Sequence, residues 1–350
     1  WAYYKEDAGK VLLGAVEPKA KPWGVDGSPE DFAFDELPED FDHFAPILEG
    51  AMHRVPSLEK VGIRKFFNGP ESFTADQRYV LGEAPTLKNF FVAAGFNSIG
   101  IQSGGGVGWA LAHWIAEGEP PFDLWDVDIR RFYPHHSTKS FLVPRVSEAL
   151  GLLYAMHWPF RQFETSRGIR KSPFYAKTQE LGACFGEVAG YERPNWYAPK
   201  GVAPVYQYSY GRQNWFEYCG EECRNIRQNV GFLDQSSFAK FLVTGKDAER
   251  ELQRLSCADV GREGKATYTQ WLNAKGRIEA DLTITKLAPE RFLVVTAVAT
   301  GPREWHYMKR HFTPGAQVQM EDVSNLYAVL GLMGPNSRNV LSKFTTADLS

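Results

Sequence analysis

The sequence predicts an α+β multidomain chain. At 350 residues it is too long for one ordinary core and suits two domains plus a connector. Stretches of helical and of alternating apolar periodicity follow one another in mixed order, without the strict strand-helix-strand succession of a parallel sheet. The character also changes near residue 119, where prolines, paired arginines and dense aromatics replace a glycine-rich stretch. The expected division is 1–118, a connector over 119–172, and 173–350.

Taken in order, the elements begin with a hairpin: Trp1 to Glu6 turns at Asp7-Ala-Gly-Lys10 into Val11 to Val16. A strand at the first residue, and an end at Ser350 without tail composition, make both termini read as truncated. The Pro-, Gly- and acid-rich stretch Pro18 to Asp40 is expected as a surface loop. Phe41, Phe44, Leu48, Met52 and Val55 recur at helical spacing before Pro56. Val61 to Phe67 and Asn89 to Ala94 read as strands. The second runs into a glycine-rich turn, Gly95 to Gly106, and a helix from Val107 to Glu117 that Gly118 ends. A helix is expected around Ser147 to Met156, and others at Lys177 to Val188 and Glu217 to Val230. Strand Ala239 to Val243, helix Asp247 to Ser256 and strand Thr267 to Leu272 come next. The turn Asn273-Ala-Lys-Gly276 then leads into strand Arg277 to Leu287, with a further strand at Arg291 to Ala297.

The balance of 39 basic against 42 acidic residues, a net charge of -3, gives no electrostatic footprint for nucleic acid or an anionic membrane surface. A small-molecule partner is expected instead. No apolar run approaches the roughly 20 residues of a membrane span, and no basic-then-apolar leader opens the chain. A soluble intracellular protein is expected, cytoplasmic in a bacterium or in the mitochondrial matrix of a eukaryote. Cys184, Cys219, Cys223 and Cys257 contain no CxxC pair and read as reduced thiols. His135 and His136 are adjacent, a poor spacing for a metal pair, and no metal site is expected.

Two stretches carry chemistry. The run Gly95-Phe-Asn-Ser-Ile-Gly-Ile-Gln-Ser-Gly-Gly-Gly-Val-Gly108 places six glycines in fourteen positions between a strand and a helix. Clearing side chains from a helix N-terminus lets a flat or anionic group reach unpaired amides at the positive end of the dipole. Alternatively, the glycines let the helix pack closely on the strand. The run lacks the spacing of a dinucleotide fingerprint. In the second stretch, Arg277 to Thr285, alternation puts Ile278, Ala280, Leu282 and Ile284 on one face and Glu279, Asp281, Thr283 and Thr285 on the other. Facing water, this is an ordinary amphipathic strand. Lining a cavity, a carboxylate there can hold an amine or a pterin nitrogen and assist proton transfer.

The glycine run resembles the last flavin-contacting segment of the D-amino acid oxidase and sarcosine oxidase superfamily. Asn68-Gly-Pro-Glu-Ser-Phe-Thr-Ala-Asp76 and Leu81-Gly-Glu-Ala-Pro85 resemble the stretch that precedes it in the dimethylglycine and sarcosine dehydrogenases. The resemblance implies FAD beside Ser98, Ile99, Gly100, Ile101 and Gln102, with Gly105 and Gly106 at the helix start. Two departures stand out: Ala75 replaces a usual proline, and Gln102 replaces the lysine that pairs with the substrate carboxylate in single-chain sarcosine oxidases. The superfamily's ADP-binding GxGxxG and the flavin-attaching histidine that often follows it are absent from this sequence.

Gly231-Phe-Leu-Asp-Gln-Ser-Ser-Phe-Ala-Lys-Phe241, Asn273-Ala-Lys-Gly-Arg-Ile-Glu-Ala-Asp-Leu-Thr-Ile284 and Leu332-Met-Gly-Pro335 resemble motifs of the aminomethyltransferase fold of the glycine cleavage T protein. That likeness implies a tetrahydrofolate site in which Asp281 engages the folate and Thr283 lies one step along the same face, with Asp234 structural. Trp125-Asp-Val-Asp-Ile-Arg-Arg-Phe132 and Leu153-Tyr-Ala-Met-His157 resemble the connector found when both domains share one polypeptide. The combined resemblance implies the C-terminal part of an FAD domain, the connector, and a folate-binding domain truncated at its C-terminus. The implied activity is FAD-dependent N-demethylation of dimethylglycine or sarcosine, transfer of the one-carbon unit to tetrahydrofolate with Asp281 catalytic, and electron delivery to an acceptor protein or oxygen. Two rivals share parts of this architecture: a regulatory subunit of the pyruvate dehydrogenase phosphatase type, and a folate-dependent aminomethyltransferase without redox activity.

Overall fold

The computed structural model describes residues 2–349, which divide into two compact units. One runs to Ile129 and takes in Pro134–Ser166; the other holds Arg130–Tyr133 and continues from Arg167. The connector stretch 119–172 is therefore divided between them.

In the first unit β1 (Ala2–Asp7) and β2 (Lys10–Ala15) form the antiparallel hairpin expected from the sequence. Ala8 and Gly9 both take positive φ (50° and 75°), the conformation whose twist matches the flanking strands. Residues 16–40 form no helix or strand. α1 (Phe41–Arg54) starts at Asp40, whose side chain accepts the His43 amide at 3.1 Å. The strand expected over Val61–Phe67 does not form. Val61 is extended, but the stretch joins no ladder and Val61, Ile63 and Phe67 are exposed, so alternation without a pairing partner leaves a loop.

β3 (Val80–Glu83), which the sequence reading missed, pairs antiparallel with β4 (Phe91–Ala94). α2 (Gly100–Glu117) begins at Gly100 rather than Val107, so Gly104, Gly105 and Gly106 are helical and not a turn. Each helical glycine costs about 1 kcal/mol relative to alanine. Burial of Val107, Ala110 and Trp114 offsets this: the Trp114 ring lies so close to β3 that a Cβ at Gly82 would meet it at 2.6 Å. Gly118, at φ 80°, ends the helix as expected. α3 (Lys139–Tyr154) completes this unit's helices.

The second unit opens on α4 (Tyr175–Glu180). The single helix expected over Lys177–Val188 is broken by Gly182 at φ 88°, and Ala183–Val188 is instead β5, paired with β6 (Tyr191–Tyr197). Then come α5 (Phe216–Gln228), β7 (Gly231–Asp234), β8 (Ala239–Thr244), α6 (Ala248–Leu255), β9 (Ala266–Leu272), β10 (Ile278–Ala288) and β11 (Arg291–Thr296). α7 (Gly301–His311), β12 (Gln319–Asp322), β13 (Leu330–Met333) and α8 (Ser337–Leu341) follow. An antiparallel five-stranded sheet runs in the order β12-β8-β11-β10-β9, while β13 pairs with β7.

This sheet carries the main core. Ala280, Leu282 and Ile284 of β10 join Phe292 and Val294 of β11, Leu252 of α6 and Met308 of α7, all of them buried. Full burial of each large aliphatic side chain is worth about 1.5–3 kcal/mol. Alternation thus sends Asp281 to the opposite face. Ile278, expected to point inward, is 66% exposed, because the ladder shifts by one residue between Ile278 and Ala280.

Candidate functional site

Two places hold the candidate residues, one in each unit. In the first, β4 ends in a sharp turn in which Gly95, Asn97 and Ser98 all have positive φ (65°, 49° and 65°). Two non-glycine residues in the left-handed region need support from their surroundings. Asn97 supplies it: it is 1% exposed, its side-chain oxygen accepts the Thr74 amide at 2.8 Å, and its side-chain nitrogen donates to the Gly95 carbonyl at 2.8 Å. Ser98 Oγ donates to Glu71 at 2.9 Å.

Ile99 is the N-cap of α2 and offers no capping side chain, and no acid sits in the first turn, formed by Gly100, Ile101 and Gln102. The amides at that end are left for another acceptor. Gly105 and Gly106 lie beyond the first turn rather than at the helix start. A Cβ at Gly104, Gly105, Gly106 or Gly108 would meet nothing within 4 Å, whereas at Gly82 and Gly95, on the neighbouring strand and turn, it would meet Trp114 and Thr74 at 2.6 and 2.5 Å. Beside this face is a cavity of about 390 Å³ whose lining includes Tyr79, Gln102, Gly106, Trp109 and Phe122.

In the second unit Asp281 is exposed on β10, opposite Gln270 of β9. Tyr268, the diagonal neighbour on β9, donates its hydroxyl to Asp281 Oδ2 at 2.9 Å. That bond to the carboxylate raises the phenol's pKa. Thr283 is half-buried and faces Tyr268 across the ladder. Glu279 does not share a free carboxylate face with Asp281. As the bulge residue it turns aside, accepting from Asn273 Nδ2 at 2.9 Å and pairing with Arg303 of α7. Asp234 accepts from the Ser172 hydroxyl and from the Ser236 amide at 3.0 Å, which fixes the turn after β7.

The sequence reading missed Tyr268, Arg303 and Glu304. The register around the Asn273 turn alone would set Thr269 opposite Asp281, and it is the bulge at Glu279 that brings Tyr268 diagonally across, so Tyr268 had no local signal; Trp305 with Met308 three apart after Gly301-Pro302 marked a helix. Glu304 is 3% exposed, and neither its Oε2 nor the Thr296 hydroxyl completes a hydrogen bond. Burial pushes its carboxyl up to about 7; nearby Thr296, Thr300 and the Arg303 charge oppose this, and Asp281 reinforces it.

A carboxyl raised in the folded state from 4.5 holds its proton more tightly than the unfolded chain does. Stability is therefore retained below pH 4.5 and lost as pH rises through about 7, at about 1.4 kcal/mol per pH unit and about 3 kcal/mol in all. Glu304→Gln should remove that slope. Urea unfolding at pH 5 and pH 8 checks it: the stability lost between the two should be about 3 kcal/mol smaller in the variant. Equal losses would place an ionised Glu304 in the native protein.

Among the described residues no group of three or more His, Cys, Asp or Glu side chains is arranged to hold a metal. His135 and His136 pack against each other at a tilt and both meet the Phe141 ring edge-on. All four cysteines are free thiols, and burial pushes Cys219 up to about 11. Among the described residues, no helix is long and apolar enough to cross a membrane.

Three family models match consecutive stretches: FAD dependent oxidoreductase over residues 2–114, FAD dependent oxidoreductase central domain over 117–172, and GCVT N-terminal domain over 174–350. Among curated proteins, the chain is 45% identical over 349 residues to the 4-methylaminobutanoate oxidase (formaldehyde-forming) of Paenarthrobacter nicotinovorans. It is 34% identical over 390 residues to the mitochondrial sarcosine dehydrogenase of Homo sapiens, and 33% identical over 354 residues to the mitochondrial pyruvate dehydrogenase phosphatase regulatory subunit of Mus musculus. Each similarity takes in 99% of this chain, while the chain spans 40–42% of the relative's length.

Proposed function

The chain belongs to the family that joins an FAD dependent oxidoreductase to a GCVT domain, that of the sarcosine and dimethylglycine dehydrogenases, and from this premise we propose that the protein demethylates a methylated amino acid and passes the carbon to tetrahydrofolate. The substrate class is an N-methyl amino acid such as sarcosine, dimethylglycine or 4-methylaminobutanoate. One observation carries the reading: Asp281 stands on the outer face of β10, off the buried core, with Tyr268 holding its carboxylate.

The open glycine face and uncapped amides of α2 fit a flavin. Ser98, Ile99, Gly100, Ile101, Gln102, Gly105 and Gly106 would hold it, with backbone N–H groups facing its electron-rich edge. FAD, when bound, supplies the acceptor for a hydride leaving the N-methyl carbon. Gln102 is neutral, so a substrate carboxylate draws its cation from elsewhere in the protein. Hydride loss leaves an iminium ion. Attack by one folate nitrogen, then displacement of the amine by the other, gives 5,10-methylenetetrahydrofolate and releases one proton. Asp281 accepts a pterin N–H bond and assists that proton's movement. Without folate, water captures the iminium and formaldehyde leaves.

The likeness to the phosphatase regulatory subunit supports a second, non-catalytic reading. Anaerobic mixing of the full-length, flavin-loaded protein with sarcosine, dimethylglycine and 4-methylaminobutanoate separates the two. At least one of them should bleach the oxidised flavin band at about 450 nm within seconds. No bleaching by any of the three sinks the enzymatic reading.

A further inference from the structure

Arg303 stands in the first turn of α7, after Thr300, Gly301 and Pro302, where a cation meets the positive end of the helix dipole. Its neighbour Glu304 is buried. A residue that breaks a local rule needs a compensating contact. Arg303 finds it on β10: one guanidinium nitrogen donates to the Glu279 carbonyl at 3.0 Å and another to the Glu279 carboxylate. Both side chains are largely withdrawn from solvent, 13% and 17% exposed.

Glu279 is the extra residue of the β9–β10 bulge, since Ile278 pairs with Leu272 and Ala280 already with Trp271. Its other carboxylate oxygen accepts from Asn273, which in turn accepts the amides of Lys275 and Arg277 at 3.0 Å each. Asn273, Glu279 and Arg303 thus tie the turn, the bulge and α7 together, two residues before Asp281. The tie matters because a strand's faces alternate. If the bulge were lost and the ladder slipped by one residue, Asp281 would turn to the face where Ala280 and Leu282 are buried, and its bond from Tyr268 would break.

We propose that Arg303 is a positioning residue: by clamping the Glu279 bulge it holds Asp281 on the outer face of the sheet, in the orientation that receives the pterin. The folate part of this statement rests on the functional reading above; the clamp itself does not.

The test uses the full-length protein labelled with 3-fluorotyrosine, the Tyr268 fluorine resonance being the one that Tyr268→Phe removes. Binding of 5-formyltetrahydrofolate is measured alongside. Arg303→Met should move the Tyr268 resonance in the same direction as Asp281→Asn and weaken 5-formyltetrahydrofolate binding by on the order of ten- to a hundredfold. The double variant should bind no more weakly than Asp281→Asn alone, because Arg303 acts through Asp281. A lowered unfolding temperature with the resonance and affinity unchanged, or strictly additive losses, overturns the proposal. Where Arg303→Met does not fold, Glu279→Gln keeps the shape and the Asn273 contact while weakening the clamp. The same two readouts should then move in the same directions, and unchanged values overturn the clamp. A wild-type protein that binds no 5-formyltetrahydrofolate, but whose Tyr268 resonance still answers to Arg303, removes the folate reading and leaves the clamp standing.

Discussion

Replacing Asp281 with Asn is expected to leave amine-dependent flavin reduction intact while slowing folate capture by on the order of a hundredfold to ten-thousandfold. That range is about 3–5 kcal/mol of transition-state free energy, and it arises because the amide keeps the shape of the carboxylate but neither its charge nor its basicity. β10 should still form, since its fold depends on Ala280, Leu282 and Ile284 on the other face. Carbon that folate fails to capture is released as formaldehyde. An Asp281 that is only a surface residue predicts an unchanged product ratio, because exposed substitutions rarely alter stability by more than about 0.5 kcal/mol. Stopped-flow flavin reduction measured beside formaldehyde yield, with tetrahydrofolate present, separates the two.

The second large effect concerns stability. Glu251 of α6 is 1% exposed, yet it accepts the Thr313 amide and hydroxyl at 3.0 Å each, Arg254 at 3.0 Å and Arg250 at 3.1 Å. Burial alone would raise its carboxyl. The Thr313 amide, Arg254, the Thr313 hydroxyl and Arg250 outweigh burial and bring it down to about 2. A carboxyl depressed from 4.5 contributes stability that is present above that pH and lost as pH falls toward 2. Because Arg250 and Arg254 are 62% and 47% exposed, solvent screens them and the contribution is about 2–3 kcal/mol. Glu251→Ala also strands the Thr313 amide, so the total loss at pH 7 should reach about 3–5 kcal/mol. Urea unfolding at pH 7 and pH 3 measures both parts: the gap between wild type and variant should narrow on acidification. A constant gap would mean that packing, not charge, holds this corner.

What the sequence made legible follows from how local its signals are. The β1–β2 hairpin, the Gly118 stop and the Asn273 turn are each written in a few adjacent residues, and they form as read. The strand expected at Val61–Phe67 failed because a ladder needs a partner that local alternation cannot supply. The start of α2 was misplaced because burial of Trp114 against β3 overrides the reluctance of glycine to enter a helix. At the folate-side site, alternation placed Asp281 on the outer face, but the bulge that sends Ile278 outward and turns Glu279 toward Arg303 depends on residues 24 positions apart. Glu304 was hidden for a related reason, since composition counts it as a surface charge while the fold buries it.

The central claim, that the carbon removed from the amine is handed to folate at the Asp281 face, is tested most directly by following that carbon. The full-length protein is given an amino acid whose N-methyl group is labelled with carbon-13, with and without excess tetrahydrofolate, and the products of a single turnover are read by NMR. The label should appear in 5,10-methylenetetrahydrofolate when folate is present and in formaldehyde when it is not, with equal rates of flavin reduction in both. If all the label is found in formaldehyde at saturating tetrahydrofolate, with trapping of free formaldehyde by folate corrected for, the account of Asp281 is wrong.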